Sequence, residues 1–499
     1  MTITLKSFQS SLNRVLSSFE CPPKNVAIAL SGGPDSMLLT WFLSEFKRTS
    51  VNLNQLNIHA ITIDHNYRYG SDVEASSLTQ HVEKWGVNHV IKKLEYNVQD
   101  PKTITNFEEI ARIKRYEIMN TICNDLGAPA LFLGHHQDDQ LETFIQRLQG
   151  NSSIFGLAGT RSIATMPLTS DLNPSKLLSF QRVKILRPFL SFTKQEILRT
   201  CQTNQIPYVI DPTNSDINLT RRNYLRKVIG ETLPDKLKEF ESKHGSSELF
   251  PYKSIMKDEI IKTHQSCVNL VEDFERKAYL MHRSLSRSNK IHESPSFSKL
   301  LIELPKNYFA GTNKITVSRF LYQRLYPYST LNHYHWAYAK LERQLVPKIA
   351  NWLNMNRPTP LKCTMMNLKF NISTKPSSVY MEITRAPLTR SEVLGLEQKL
   401  NIDENWSKWF LFDKRFWLRF RSKKKEKLSI VVIPYSHKLH CKMVGNSLKL
   451  KYAIDSRMDA LPIVMQDGKI LSFPTLETSA SEIDSEWSTK YNKFDYLVN

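Results

Sequence analysis

The sequence predicts an α/β protein: a doubly wound parallel sheet over residues 1–230, a helical basic region over 231–360, and a small mixed or β-rich domain over 361–499. Three observations lead there. Short apolar runs at Val26–Leu30, Leu56–Ile63 and Ala130–Gly134 are each followed by a helical pattern, and strands alternating with helices build parallel sheets. The first run ends in Ser31-Gly32-Gly33-Pro34-Asp35-Ser36, a small-residue turn between strand and helix. From Thr364 onward β-branched residues and alternation return, at Phe370–Ile372, Val379–Ile383, Phe416–Phe420 and Ile430–Ile433.

Taken in order, the N-terminal segment carries Lys6 and Arg14, is rich in serine and has no acid before Glu20. It reads either as a mitochondrial transit peptide or as a first helix packing Leu12, Val15 and Leu16. After the first strand come a helix from Met37, the strand at Leu56–Ile63 and a helix over Glu74–Trp85. A strand near His89–Ile91 precedes a helix over Glu108–Cys123 with Arg112, Arg115 and Tyr116. A helix then begins near His135, Lys184–Pro188 is a further strand, and Thr193–Asn204 a helix. Thr220–Lys227 reads as a basic helix that closes the first domain. Aromatic residues crowd Tyr322–Trp336; such rings either stack on RNA bases or fill a core. The run Arg419–Lys427 is a solvated charge run or a phosphate-contacting patch.

Composition narrows the function. A chain of 499 residues predicts about three domains. No apolar stretch approaches the ~18 residues that span a bilayer, so no membrane partner is expected. Lys and Arg total 68 against 48 acids, a net charge of +20. That excess favours salt-sensitive association with a polyanion, nucleic acid first and an acidic membrane surface second. Six scattered cysteines without a CxxC pair point to reduced thiols rather than a zinc ribbon or redox pair.

The chemistry lies in two stretches on one rim, because ligands of open α/β sheets bind beyond the carboxyl ends of the strands. In Ser31–Ser36 the glycines let backbone amides converge, and the helix that follows turns its free N–H groups and positive dipole end to the loop. Phosphate is the expected guest. No Gly-Lys-Ser/Thr follows, so this is not a Walker A loop, and G-x-G-x-x-G is absent. The second stretch is His135–Thr143: on a helix His135, Asp138, Asp139, Glu142 and Gln146 form a polar stripe, with Leu141, Phe144, Ile145 and Leu148 on an apolar one. Clustered carboxylates suit Mg²⁺ or proton transfer from an attacking amine; they also occur simply where a helix dipole favours acids.

The loop resembles the SGGxDS pyrophosphate loop of ATP pyrophosphatases, and the wider chain resembles the tRNA(Ile)-lysidine synthetase family. The likeness rests on SGGPDS at 31–36, DHxxR at 64–68, EEIARIKRYE at 108–117, GHHQDDQLETFIQRL at 134–148, RPFL at 187–190 and DPTNSDINLTRRNYLR at 211–226. A weaker likeness recurs at Leu461–Val464 and Asp467-Gly468. The resemblance implies an adenine nucleotide alpha hydrolase-like first domain, and ATP, Mg²⁺, free L-lysine and a CAU-anticodon isoleucine tRNA as cofactors and partners. It further implies that Ser31, Gly32, Gly33, Pro34, Asp35 and Ser36 bind ATP, and that Asp35 and Asp138 place Mg²⁺. Arg112 would cover phosphate charge, with Arg115 beside it; Asp139 and Glu142 would orient the lysine ammonium; His135, Asp138, Arg222 and Arg226 would meet substrate. Two departures stand out: Gln149-Gly150-Asn151-Ser152-Ser153 replaces the family's Arg-Gly-Ser-Gly, and Tyr67 replaces a leucine. The rival expectations are a pyrophosphate-loop tRNA thiolase and a tRNA-binding relative without catalysis. Mitochondria are the expected location, the cytoplasm the alternative.

Overall fold

The computed structural model describes residues 1–49, 55–64, 71–94, 107–167, 171–209, 221–244, 257–355, 359–425, 427–445, 454–478 and 482–494. They form two compact units, Met1–Thr169 with Phe180–Val271, and Ser170–Ser179 with Glu272–Asn499.

In the first unit α1 (Leu5–Leu16) leads into β1 (Asn25–Ala29), α2 (Pro34–Thr49), β2 (Asn57–Asp64), α3 (Ser71–Lys84) and β3 (Asn88–Lys93). Then come α4 (Phe107–Asp125), β4 (Ala130–Phe132), α5 (Gln137–Gln149), α6 (Ile154–Leu157) and β5 (Ile163–Thr165). The sheet order is β3-β2-β1-β4-β6-β5, with β6 at Lys184–Leu186. All neighbours are parallel except β5, which runs antiparallel to β6 at the edge. Alternation along β1 shares its side chains between two cores. Val26 and Ile28 join Phe8, Leu12, Leu39, Phe42 and Ile197 on one face, and Ala27 joins Tyr116, Met119 and Cys123 on the other. The sheet is therefore covered on both sides, as the sequence predicts.

The N-terminal segment is a packed helix. Thr4 caps it by accepting from Ser7 N–H at 3.1 Å, Phe8 stacks on Phe42 with ring centroids 4.6 Å apart, and Ile3 N–H donates to Thr200 Oγ1 at 2.8 Å. Cleavage after Leu16 would strip Phe8, Leu12 and Val15 from the core.

α7 (Pro174–Leu178) belongs to the second unit, whereas α8 (Lys194–Thr203), α9 (Arg221–Lys227) and α10 (Leu233–His244) complete the first. α11 (Lys257–Arg287) starts in the first unit and continues into the second. There β7 (Ile291–Ser294) and β8 (Lys299–Pro305) precede α12 (Asn313–Leu325), α13 (Ala337–Lys340) and α14 (Val346–Asn354). The hairpin joins β9 (Leu361–Met365), β10 (Leu368–Thr374) and β11 (Ser378–Arg385) in a sheet ordered β7-β8-β11-β10-β9. Strands from residues 231–360 and 361–499 thus share one ladder, with Leu304 opposite Val379 and Ile302 opposite Met381.

The aromatic stretch packs inward. Tyr322 stacks on Tyr334 at 5.1 Å, and Tyr334 OH donates to the Tyr322 carbonyl at 2.7 Å. Tyr326, Tyr328 and Tyr338 are buried too, and only Trp336 of this group is exposed. Core filling, not base stacking, accounts for these rings.

After α15 (Arg390–Gly395) come β12 (Gln398–Ile402), β13 (Phe410–Phe412), β14 (Phe416–Ser422), β15 (Leu428–Pro434), α16 (His437–His440), β16 (Pro462–Gln466), β17 (Lys469–Ser472) and β18 (Ile483–Thr489). They form sheets ordered β12-β15-β16-β17 and β13-β14-β18 around Phe416, Phe420, Val432 and Ile463. The basic run is partly neutralised across the β14–β18 pair: Arg419 Nε donates to Glu486 at 2.7 Å, Arg421 Nε to Asp484 at 2.9 Å and Lys424 Nζ to Glu482 at 2.9 Å.

Candidate active site

The loop Ser31–Ser36 is built as the sequence predicts, between β1 and α2. Gly32 sits at φ +80°, in the left-handed region, and a Cβ there would stand 3.0 Å from a Leu78 methyl. Glycine is needed on both counts. Ser31 N–H donates to Ser36 Oγ at 3.2 Å, and that hydroxyl donates to the Gly33 carbonyl at 3.1 Å, so the loop closes on itself. The first-turn N–H groups of α2 have no carbonyl before them within the helix, which leaves a ready anion seat. Gly134, at the end of β4, brings the second stretch up to this loop. A Cβ on Gly134 would lie 3.0 Å from the Asp35 carbonyl carbon.

The acidic helix departs from the predicted stripe. Its first turn begins at Gln137, because His136 is extended and its backbone N–H donates to Asp139 Oδ2 at 3.0 Å. His135 therefore lies before the helix rather than on its face. Arg187 Nε donates to His135 Nδ1 at 3.1 Å. Burial, reinforced by Arg187, lowers the His135 pKa to about 4, so the ring is neutral at pH 7 and its proton sits on Nε2. The apolar stripe is shorter than expected: Leu141 and Phe144 are buried, but Leu148 is exposed.

The three acids face two ways. Asp138 accepts from Lys194 N–H at 2.7 Å and from Lys257 Nζ at 2.5 Å. Burial alone would raise its pKa, but these donors hold the carboxyl below the usual carboxylate range. Asp139 and Glu142 instead face α9. Arg222 donates through Nε to Glu142 at 2.6 Å and through Nη2 to Asp139 at 2.5 Å; Arg226 Nε donates to the other Glu142 oxygen at 2.7 Å. For Asp139, too, the upward pull of burial is overcome, here by His136 and Arg222.

Asp35 is held by Lys194, whose Nζ lies 2.7 Å from each carboxylate oxygen. One residue thus ties the loop helix, through its side chain, to the acidic helix, through its backbone. Lys194 opens α8 behind a capping box formed by Thr193 and Glu196. That Thr-x-x-Glu pattern marks the helix start in the sequence, yet nothing in it links Lys194 to an aspartate 159 positions away. Lys257 was likewise without a sequence signal, whereas Arg187 and His136 lie within the RPFL and GHHQDD blocks but were given no role there. His136 is buried, with Nε2 3.5 Å from Asp139 and 3.7 Å from Asp35.

Arg112 and Arg115 lie on α4 with their guanidinium carbons 5.6 and 5.9 Å from the Tyr116 ring centroid. Tyr116 in turn hydrogen-bonds Arg187, which places the two arginines on the His135 side of the rim. Asp64 ends β2 as a buried acid; residues 65–68 and 211–220 of the sequence motifs fall outside the described residues.

The donor set does not fit Mg²⁺ between Asp35 and Asp138. Lys194 already bridges both carboxylates, Lys257 takes the second oxygen of Asp138, and a metal would have to displace an ammonium group. Among the described residues no group of three or more His, Cys, Asp or Glu side chains could hold a metal ion.

With this geometry in hand, the comparisons are direct. Residues 4–233 match a family model described as a PP-loop domain. The chain is 25% identical over 430 residues to a "Probable tRNA(Ile)-lysidine synthase" of Schizosaccharomyces pombe, covering 85% of this chain and 83% of that protein. A tRNA(Ile)-lysidine synthase of Thermotoga maritima is 30% identical over 203 residues, 41% of this chain and 44% of that one. That of Chlamydia muridarum is 28% identical over 240 residues, 47% and 65% respectively. The chain therefore spans less than two thirds of these two bacterial relatives. A solved U34-tRNA thiolase from Methanococcus maripaludis gives a TM-score of 0.38 at 16% identity over 53% of this chain and 80% of that one, too distant to argue from.

The first half of the chain is a PP-loop domain. The relatives it matches are tRNA(Ile)-lysidine synthases.

Proposed function

We propose that this protein ligates free L-lysine to the wobble cytidine of a CAU-anticodon isoleucine tRNA, using ATP. The observation that carries the reading is the junction at Gly134, where a pyrophosphate-type loop and a buried acidic pair share one sheet rim. In the first step the cytosine carbonyl oxygen attacks the α-phosphate of ATP and pyrophosphate leaves. The amides of Gly32, Gly33, Asp35 and Ser36, at the α2 N-terminus, stabilise the leaving charge, while Arg112 and Arg115 face the nucleotide side. In the second step the lysine ε-amine attacks the activated carbon and AMP leaves. Asp139 and Glu142 orient the ammonium before it loses its proton. Neutral His135 serves as a hydrogen-bond donor through Nε2. No step needs a metal held by Asp35 and Asp138.

A thiolase reading draws no support from the thiols. Cys123 and Cys201 are buried, which pushes both up to about 12, far from a reactive thiolate. The excess of basic residues supports binding to a polyanion, and the serine-rich, acid-poor start supports a mitochondrial location. The test is AMP release from ATP with L-lysine and a CAU-anticodon transcript. Lysine-dependent release and a lysidine peak in nucleoside mass spectrometry are expected. Release that ignores lysine refutes the reading.

A further inference from the structure

We infer that Arg222 and Arg226 act as built-in stand-ins for the amine substrate and must be drawn off by phosphate before lysine can bind. The inference rests on the reading of Asp139 and Glu142 as the amine seat. It starts from an asymmetry of burial. The side chains of Asp139 and Glu142 are 13% and 3% exposed, whereas those of Arg222 and Arg226 are 41% and 43% exposed. Buried carboxylates need a cation at all times. Half-exposed guanidinium groups do not need these particular acids, and they also suit phosphate oxygens bidentately.

Charge enforces the order. With both arginines in place the two acids are neutralised, and an incoming ammonium gains no net attraction. Each arginine that moves to a phosphate uncovers one negative charge for it. Buried His136 lies between the acids, with Nε2 3.5 Å from Asp139 and Nδ1, which has no hydrogen-bond partner, 3.7 Å from Asp138. The phosphate comes either from the ATP triphosphate or from the RNA backbone. Either source makes the exchange anion first, amine second, so lysine cannot occupy the site unproductively.

The test measures binding of radiolabelled L-lysine to the full chain by equilibrium dialysis, alone, with a non-hydrolysable ATP analogue, with the tRNA transcript, and with both. Lysine should bind at least ~10-fold tighter when the effective anion is present, and the arm that produces the gain identifies the phosphate source. By linkage, saturating lysine must tighten binding of that anion by the same factor. The R222Q/R226Q double variant should bind lysine at least ~10-fold tighter than the parent without any anion, and lose the anion effect. Should its uncovered acids weaken the fold, added lysine should raise its melting temperature more than the parent's. Equal lysine affinity with and without both anions overturns the inference alone. Lysine bound in no condition, while the ATP analogue binds, overturns the amine-seat reading and this inference with it.

Discussion

Replacing Glu142 by glutamine keeps the side-chain volume and removes the charge that holds two arginines. Glu142 is nearly fully buried, and its two oxygens accept from Arg222 Nε at 2.6 Å and Arg226 Nε at 2.7 Å. Breaking a buried ion pair costs about 3–5 kcal/mol when the surviving charge stays buried. Here the survivors are guanidinium groups that turn to water, so the loss is discounted to about 1–2 kcal/mol. At roughly 2–4 °C per kcal/mol for a unit of this size, the first unfolding transition should fall by about 2–8 °C in differential scanning calorimetry. The chemical effect should be larger. A lost charged hydrogen bond to the lysine ammonium, worth up to about 3 kcal/mol, lowers lysine-dependent AMP release about 100-fold. Affinity for an ATP analogue should hold, because the Ser31–Ser36 loop is untouched. A variant that melts with the parent and still releases AMP at the parental rate in the presence of lysine would refute both the ion-pair argument and the role given to Glu142.

Other outcomes follow from the same geometry. His135 titrates near 4 in the folded state against about 6.5 unfolded, so the unfolded chain binds more protons between those values. Its contribution to stability is full above about pH 6.5 and falls by up to about 3 kcal/mol as pH drops towards 4; in denaturant titrations the parent should lose that much stability relative to His135→Gln, which does not titrate. Asp138 and Asp139, both lowered, add stability present above the usual carboxylate pKa and lost as pH falls through the lowered values. Gly32→Ala meets both the positive φ and the Leu78 methyl and should cost about 1–2 kcal/mol, read by thermal melting, with ATP-analogue binding weakened in dialysis. Phe8→Ala empties a site stacked on Phe42 and should cost about 3–5 kcal/mol; an unchanged melting curve would show that α1 is not part of the fold.

The parallel sheet was legible because its strands are short, continuous apolar runs with glycine-marked exits, and the observed β1, β2 and β4 fall within a residue or two of Val26–Leu30, Leu56–Ile63 and Ala130–Gly134. The hairpin of β7 and β8 was not, because Ile291–Ser294 is too short to show a period and the other ladder partner of β8, β11, lies more than seventy residues away. At the site, acids and arginines within single motifs were readable, but their pairing across the rim was not. Lys194 and Lys257 look like ordinary surface lysines in sequence; only the fold sets them against Asp35 and Asp138. His135 was placed on the helix by periodicity, and the backbone bond from His136 to Asp139 overrode it.

The segment Ser170–Ser179 interrupts the first unit and belongs to the second. Asp171 accepts from Tyr326 OH, 155 positions later, and Ser175 Oγ accepts from Trp409 Nε1, 234 positions later. A chain made at about 5–20 residues per second therefore carries this loop without its mates for on the order of 10–50 s. During that interval the segment is open to chaperones and proteases. The same dependence means that a fragment ending near residue 230 would lack both mates permanently.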